Sequence, residues 1–99
     1  MTDKIRALLG FSRKAGKLAT GTEATRESVM RHRARLVLIA SDISPKSVKE
    51  IRFICDKNNT RVEILPLTTE EISAAIGRRA GILALEDDGF ATAVVKNIL

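Results

Sequence analysis

The chain has 99 residues, of which 44% are hydrophobic and only 3% aromatic, and its formal net charge is +5. This length allows one domain with a single core. With three Phe and no Trp or Tyr, the composition argues against a stacking platform for single-stranded nucleic acid, which needs exposed rings.

The basic residues are concentrated in the first third of the chain. Residues 1–35 hold nine Lys and Arg against three acids, a net charge of +6, whereas residues 36–99 carry a net charge of −1. A basic region of this kind attracts polyanions through long-range steering and counterion release. A solvated basic surface without a ligand is the alternative interpretation.

Cysteine usage and hydropathy predict a cytoplasmic protein without membrane association. Cys55 has no second Cys with which to form an internal disulfide, and its apolar surroundings are typical of a small core residue. The chain lacks the apolar run of a signal peptide near its first residue. No segment reaches the roughly 20 apolar residues that a membrane helix needs.

Helical and strand-like segments alternate along the chain. The predicted order is a helix to about residue 14, a strand at 18–20, a helix from 21–22 to 31–33, a strand at 36–40, a helix at 45–56, a strand at 62–65, a helix after 68, a strand at 82–85 and a last helix to 98. Alternation of this kind predicts an α/β fold, a three-layer α-β-α sandwich with a four-stranded mixed sheet.

Several helix starts have recognisable capping signals. Ser44 is a strong N-cap followed by Pro45 at the first helical position. The run 68–71 reads Thr-Thr-Glu-Glu, a capping box, and Asp87 or Asp88 can begin the last helix. The predicted inward-facing residues of the second and third helices are Ala24, Ser28, Val29, Val48, Ile51, Ile54 or Phe53, and Cys55.

The segment 13–25 combines features that suit a phosphate-bearing partner. A basic helix end containing Lys14 leads into a Gly16-Lys17 turn, and Gly21-Thr22 then begins a helix. The free N–H groups and positive dipole of a helix start favour anions. Gly16 could instead serve only a left-handed turn, and Gly21-Thr22 could be a plain helix cap.

A second basic feature is the predicted loop 77–81, Gly-Arg-Arg-Ala-Gly. Arg78 and Arg79 could make paired phosphate contacts. The alternative is that they cap the carboxyl end of the preceding helix. Lys14 and Arg26 could contact the same partner or be solvated.

These residues give the chain a resemblance to the kink-turn RNA-binding family of ribosomal and ribonucleoprotein components, above all to its small bacterial ribosomal-protein-like members. The resemblance covers nearly the whole chain. The matching motifs are Ala15-Gly16-Lys17, Gly21-Thr22, the strand 36–40 followed by Ser41-Asp42 and Pro45, and Ile76-Gly77.

The resemblance implies a non-catalytic monomer, without a cofactor, that grips a sharply bent RNA by shape and a few base-edge contacts. Its expected partner is structured RNA, with ribosomal RNA the first candidate and no DNA. The second helix would enter the RNA near tandem sheared G·A pairs, and the loop before the last strand would pack on bases flipped out of the bend. The implied RNA-binding residues are Lys14, Gly16, Lys17, Gly21, Thr22, Glu23, Arg26, Arg78, Arg79 and Ala80.

The helix start departs from the Gly-Thr-Asn-Glu-x-x-Lys pattern of the family. Glu23 stands at the Asn position, Ala24 at the Glu position and Glu27 at the Lys position. An ionised Glu offers only acceptors and repels phosphate, whereas Asn offers a donor and an acceptor. These differences predict that general RNA affinity is retained better than kink-turn specificity.

Two other functions are compatible with the sequence. Asp42 follows the central strand, a position where acids often carry catalysis in open α/β sheets, but no triad partner or Gly-rich phosphate fingerprint accompanies it. The sole His32 has no partners at metal-ligand spacing and is expected to lie at a helix end. The basic face could also bind an acidic partner protein.

Overall fold

The computed structural model describes residues 2–98, and its helices and strands alternate as the sequence predicts. The elements are α1 (Thr2–Lys14), β1 (Leu18–Thr20), α2 (Thr22–Met30), β2 (Leu36–Ile39), α3 (Pro45–Lys57), β3 (Val62–Ile64), α4 (Thr69–Ile76), β4 (Ile82–Leu85) and α5 (Asp88–Ile98). Between residues 2 and 98, no helix has both the length and the apolar character needed to cross a bilayer.

The four strands form one mixed sheet in the order β1-β4-β2-β3. β2 pairs with β3 in parallel, whereas β4 pairs antiparallel with both β1 and β2. The short β1 therefore lies at one edge of the sheet and β3 at the other. This arrangement confirms the predicted three-layer sandwich with a mixed sheet.

The central strand β2 is buried along its whole length because both faces of the sheet are covered. Leu36 and Leu38 belong to the core that α1, α4 and α5 cover, and Val37 and Ile39 belong to the core under α2 and α3. Successive side chains of a strand point to opposite faces, so one apolar strand supplies both cores.

The predicted caps are present at three helix starts. The Ser44 hydroxyl accepts from the Ser47 N–H at 3.3 Å, and Thr68 and Glu71 form the reciprocal bonds of a capping box. The Asp87 carboxylate accepts from the Phe90 N–H at 2.9 Å, which identifies Asp87 as the residue that caps α5.

On α2 one prediction about inward-facing residues is wrong, and on α3 the alternative between Ile54 and Phe53 is decided in favour of Ile54, which packs partly buried against the core. On α2, Ala24 is exposed, and Thr25 is buried together with Ser28 and Val29. These buried residues recur at the spacing of one helix face, which does not include Ala24. On α3, Phe53 is 62% exposed, because it lies on the side of the helix opposite the buried Ile51.

Cys55 is confirmed as a core residue. Its side chain is fully buried on the α3 side of the sheet. Burial raises the pKa of this thiol to about 11, so the thiolate, which is the reactive form, is scarce at neutral pH.

Candidate nucleic-acid interface

The start of α2 lies beside the end of the basic loop 77–81. The Gly21 N–H donates to the Ile82 carbonyl at 2.8 Å, and Thr20 pairs with Leu83 across the β1–β4 ladder. Gly21 has φ 98° and ψ 165° and makes no side-chain cap. The first-turn N–H groups of a helix lack intrahelical acceptors, so α2 presents uncapped donors at this point, with the exposed Thr22 and Glu23 next to them.

The basic loop is held in place by α4. Gly77 ends α4 in the left-handed region with φ 73°, and its N–H donates to the Ser73 carbonyl at 2.9 Å. The Arg78 N–H donates to the same carbonyl at 3.2 Å, and the Ala80 N–H donates to the Ser73 hydroxyl at 3.1 Å. The loop is therefore folded back along α4, with the two exposed Arg side chains of residues 78 and 79 presented outward.

Ala80 does not present its side chain at this surface. It is only 7% exposed and packs in the core beneath the loop. A contact of Ala80 with RNA, which the sequence predicts, would therefore involve its backbone rather than its methyl group. Its methyl group anchors the loop, and the arginines before it form the accessible part.

The end of α1 reaches the other end of the same loop. The Arg13 guanidinium donates to the Ile76 carbonyl at the end of α4, and a Cβ on Gly77 would lie 3.5 Å from an Arg13 nitrogen. Lys14 lines the shallow groove between α1 and α4 and is exposed. The loop therefore spans from the end of α1 to the start of α2.

Gly16 and Lys17 do not join this group. The Lys17 carbonyl accepts from the Glu86 N–H at 2.8 Å, and Leu18 pairs with Leu85 at the end of β4. Gly21 meets the beginning of β4, so the turn and the helix start are separated by the length of β1, about 13 Å. The predicted convergence of Lys17 with the start of α2 is not found.

The Gly16-Lys17 turn instead lies next to the carboxyl end of α2. It shares a groove with His32, Arg33, Arg35 and Glu86. His32 follows the C-cap of α2 and has φ 58°, which agrees with its predicted place at a helix end.

Arg26 faces α3 rather than the basic loop. Its side chain is half-buried and lines a groove with Lys49, Glu50, Phe53 and Ile54. Within residues 2–98, its Nε is buried without a hydrogen-bond partner. The sequence leaves Arg26 either solvated or in contact with a ligand, and the structure shows its side chain half-buried beside α3.

Asp42 is a structural acceptor. Its carboxylate accepts from the Thr69 N–H at 2.9 Å and from the Thr69 hydroxyl at 2.8 Å. These two bonds lower the pKa of Asp42, and the nearby charge of Arg79 lowers it further. Asp42 thereby fixes the loop after β2 to the start of α4, and Gly81 passes so close that an added Cβ would lie 2.5 Å from the Thr69 hydroxyl.

Comparisons with known proteins agree on one family. The model of the Ribosomal protein L7Ae/L30e/S12e/Gadd45 family matches residues 3–95. The chain is 34% identical over 86 residues to the RNA-binding protein YlxQ of Enterococcus faecium, covering 85% of this chain and 81% of that protein. It is 28% identical over 94 residues to the RNA-binding protein YlxQ of Bacillus subtilis (strain 168), covering 90% and 89%.

Solved structures share the fold. A protein with unknown function from Bacillus halodurans C superposes with a TM-score of 0.89 at 25% identity, covering 96% of both chains. The Giardia lamblia 15.5kD RNA binding protein superposes with a TM-score of 0.79 at 16% identity, covering 98% of this chain and 83% of that one. At that lower identity, the likeness concerns the fold alone.

Proposed function

Because the chain belongs to the Ribosomal protein L7Ae/L30e/S12e/Gadd45 family, we propose that it is a cytoplasmic protein that binds structured, kink-turn-like RNA, with ribosomal RNA as the first candidate. This membership confirms the resemblance predicted from the sequence and the prediction that the chain is not an enzyme. Two curated relatives that are named RNA-binding proteins support the proposal.

One observation supports a particular surface as the site of RNA binding. The Gly21 N–H···Ile82 carbonyl bond joins the uncapped start of α2 to the end of the loop that bears Arg78 and Arg79. Cations on a backbone-anchored loop beside free helix-start N–H groups suit phosphate oxygens. We call these residues, Gly21 to Glu23 with Arg78 and Arg79, the α2-start surface, and Lys14 flanks it at the end of α1.

The test is a binding titration by fluorescence anisotropy at several salt concentrations. One RNA carries tandem sheared G·A pairs beside a three-nucleotide bulge, and a second is a plain duplex of equal length. The double variant Arg78→Glu/Arg79→Glu should weaken binding of the bent RNA by about 100-fold or more, because two charge-assisted bonds are lost. The slope of log affinity against log salt should fall by about 2.

The matched control is Lys4→Glu/Lys96→Glu, which makes the same change of charge at exposed positions on α1 and α5. It should weaken binding only a few-fold, through the long-range field. Equal losses for the two double variants, with both proteins folded, would show that net charge rather than the α2-start surface determines binding. Failure of the unaltered protein to bind either RNA would contradict the proposed function itself.

A further inference from the structure

A second basic surface lies at the carboxyl end of α2, at the other end of β1 from the α2-start surface. It is a groove of about 340 Å³, which we call the α2-end groove, lined by Gly16, Lys17, His32, Arg33, Arg35 and Glu86. Within residues 2–98, no apolar side chain lines it. A protein partner usually needs apolar anchors at the centre of its interface, whereas phosphates need cations, so the lining favours a polyanion.

Backbone hydrogen bonds of the sheet set the positions of two of these cations. The Arg35 N–H donates to the Leu85 carbonyl at 2.7 Å, and the Glu86 N–H donates to the Lys17 carbonyl at 2.8 Å. Lys17 and Arg35 therefore precede the two strands that flank the end of β4, and their backbones are about 10 Å apart, which is two strand spacings. Because the sheet fixes this arrangement, it does not depend on either basic side chain.

The basic side chains are not needed to cap α2. The His32 and Arg33 N–H groups donate to carbonyls within α2 at 3.0 and 2.9 Å, so the backbone itself satisfies these groups. Within residues 2–98, Lys17 and Arg33 are exposed and form no ion pair. Arg35 lies 3.5 Å from the exposed Asp88 carboxylate, a kind of surface pair that contributes little to stability. The cations are thus available to a partner.

The one acid in the groove does not neutralise them. The Glu86 carboxylate accepts from the Ser28 hydroxyl at 2.6 Å and forms no ion pair within residues 2–98. The turn beside it is open, because a Cβ on Gly16 would meet nothing within 4 Å in the described chain. The groove therefore keeps an excess of positive charge next to an accessible backbone, an arrangement that suits a chain of phosphates.

We propose that the α2-end groove binds the phosphate backbone of a duplex stem of the same RNA whose bend lies on the α2-start surface, with Lys17 and Arg33 each contacting a phosphate. This inference rests on the proposed function and extends it to a second surface. The two surfaces are separated by about 13 Å, the length of β1, and one turn of a B-DNA duplex is about 34 Å. A single stem is therefore long enough to reach both. Backbone contacts carry no sequence information, so the groove adds affinity rather than base specificity.

The test compares three versions of the bent RNA with the full chain by fluorescence anisotropy. In the first, both stems are cut to about four base pairs, and in each of the others one stem is longer by about 10 base pairs, one helical turn. For the unaltered protein, extension of one of the two stems should raise the affinity about tenfold, because two charge-assisted phosphate contacts are gained. Lys17→Gln/Arg33→Gln should abolish that gain and reduce the salt slope for the longer RNA by about 2.

Two further variants separate position from charge. Lys4→Gln/Arg52→Gln is the matched control, since it also removes one Lys and one Arg charge, at exposed positions on α1 and α3. It should keep the gain from the longer stem. Lys17→Arg/Arg33→Lys should keep the gain as well, because both charges remain. Melting temperatures are measured first, and exposed positions such as 17 and 33 should leave them unchanged.

Each outcome decides the inference. If the Lys17→Gln/Arg33→Gln variant keeps the gain, or if neither stem extension gives one, while Arg78→Glu/Arg79→Glu still weakens binding of the short RNA, the groove inference is overturned and the proposed function stands. Loss of the gain in the Lys4→Gln/Arg52→Gln control would also overturn it, because the overall field would then explain the effect. A polyglutamate peptide whose binding needs Lys17 and Arg33, when the RNA gain does not, would overturn it in favour of an acidic protein.

Discussion

Asp42 and Thr69 join the loop after β2 to the start of α4 through two hydrogen bonds to one carboxylate oxygen, from the Thr69 N–H at 2.9 Å and from its hydroxyl at 2.8 Å. The pair lies where Gly81 brings the end of the basic loop against Thr69. Asp42 is a candidate for catalysis by its sequence position alone. In the structure it helps to hold the basic loop of the α2-start surface in place.

The Asp42 bonds predict a pH-dependent contribution to stability. The folded state lowers the pKa of Asp42, so the stabilisation is complete above the unfolded value of about 3.9 and is lost as the pH falls through the lower folded value. Asp42→Ala should therefore melt below the unaltered protein at pH 7, and the difference should shrink below about pH 4. Melting curves from pH 3 to 7 test this. A difference that is equal at both ends would contradict the assignment. Asp42→Asn keeps an acceptor without a titrating carboxylate, so its melting temperature should fall less than that of the unaltered protein between pH 7 and pH 3.

Ser73 is predicted to affect RNA affinity indirectly, because it holds the basic loop in place. Its hydroxyl accepts from the Ala80 N–H at 3.1 Å, and Ser73→Ala leaves that N–H without its acceptor at a cost of about 1 kcal/mol. Because the basic loop loses an anchor, affinity for the bent RNA should fall several-fold although no charge changes. Urea denaturation and anisotropy measure the two effects. Ser41→Ala, at an exposed position after β2, is the control. Unchanged RNA affinity in the Ser73→Ala variant would show that the Ser73 hydroxyl is not needed to hold the loop for binding.

Gly21 is predicted to be required for stability because of its backbone conformation. Its φ of 98° with ψ of 165° is a conformation that only Gly adopts readily, while a Cβ there would meet open space within the described chain. Gly21→Ala should therefore destabilise the fold by about 1–3 kcal/mol. Gly16→Asn should cost less, because Asn tolerates the left-handed region in which Gly16 lies at φ 72°. Equal losses of stability in the two variants would refute this distinction.

Glu23 is predicted to limit non-specific binding. Its exposed carboxylate lies in the first turn of α2, where it repels phosphate but can accept from a base amino group. Glu23→Gln should raise affinity for a plain duplex and reduce the preference for the bent RNA. Parallel titrations of both RNAs at one salt concentration give the ratio. An unchanged ratio would exclude Glu23 from base recognition.

Local signals in the sequence predicted most of the fold. The wholly apolar β2, the Ser44-Pro45 start and the Thr68–Glu71 capping box depend on neighbouring residues only, and each appears as expected. The alternative between Ile54 and Phe53 could have been decided from spacing, because Phe53 is about 200° around the helix from Ile51. The apolar character of both residues left it open.

The arrangement of the site depended on contacts that no local pattern contains. Gly16-Lys17 and Gly21-Thr22 are close in sequence, but the pairing of β1 with β4 places them at opposite ends of a strand. The half-buried position of Arg26 beside α3 likewise follows from the packing of α2 on α3. The inward face of α2 contains the polar residues Thr25 and Ser28, so the pattern of apolar residues does not identify it. This explains why Ala24 was misplaced.

The most direct test of the α2-start surface is a ¹H–¹⁵N NMR titration of the full chain with the bent RNA. We expect the largest amide shifts on Gly21, Thr22 and Glu23 and on Arg78 and Arg79. Perturbations confined to the other end of β1, at Lys17, Arg33 and Arg35, would contradict it.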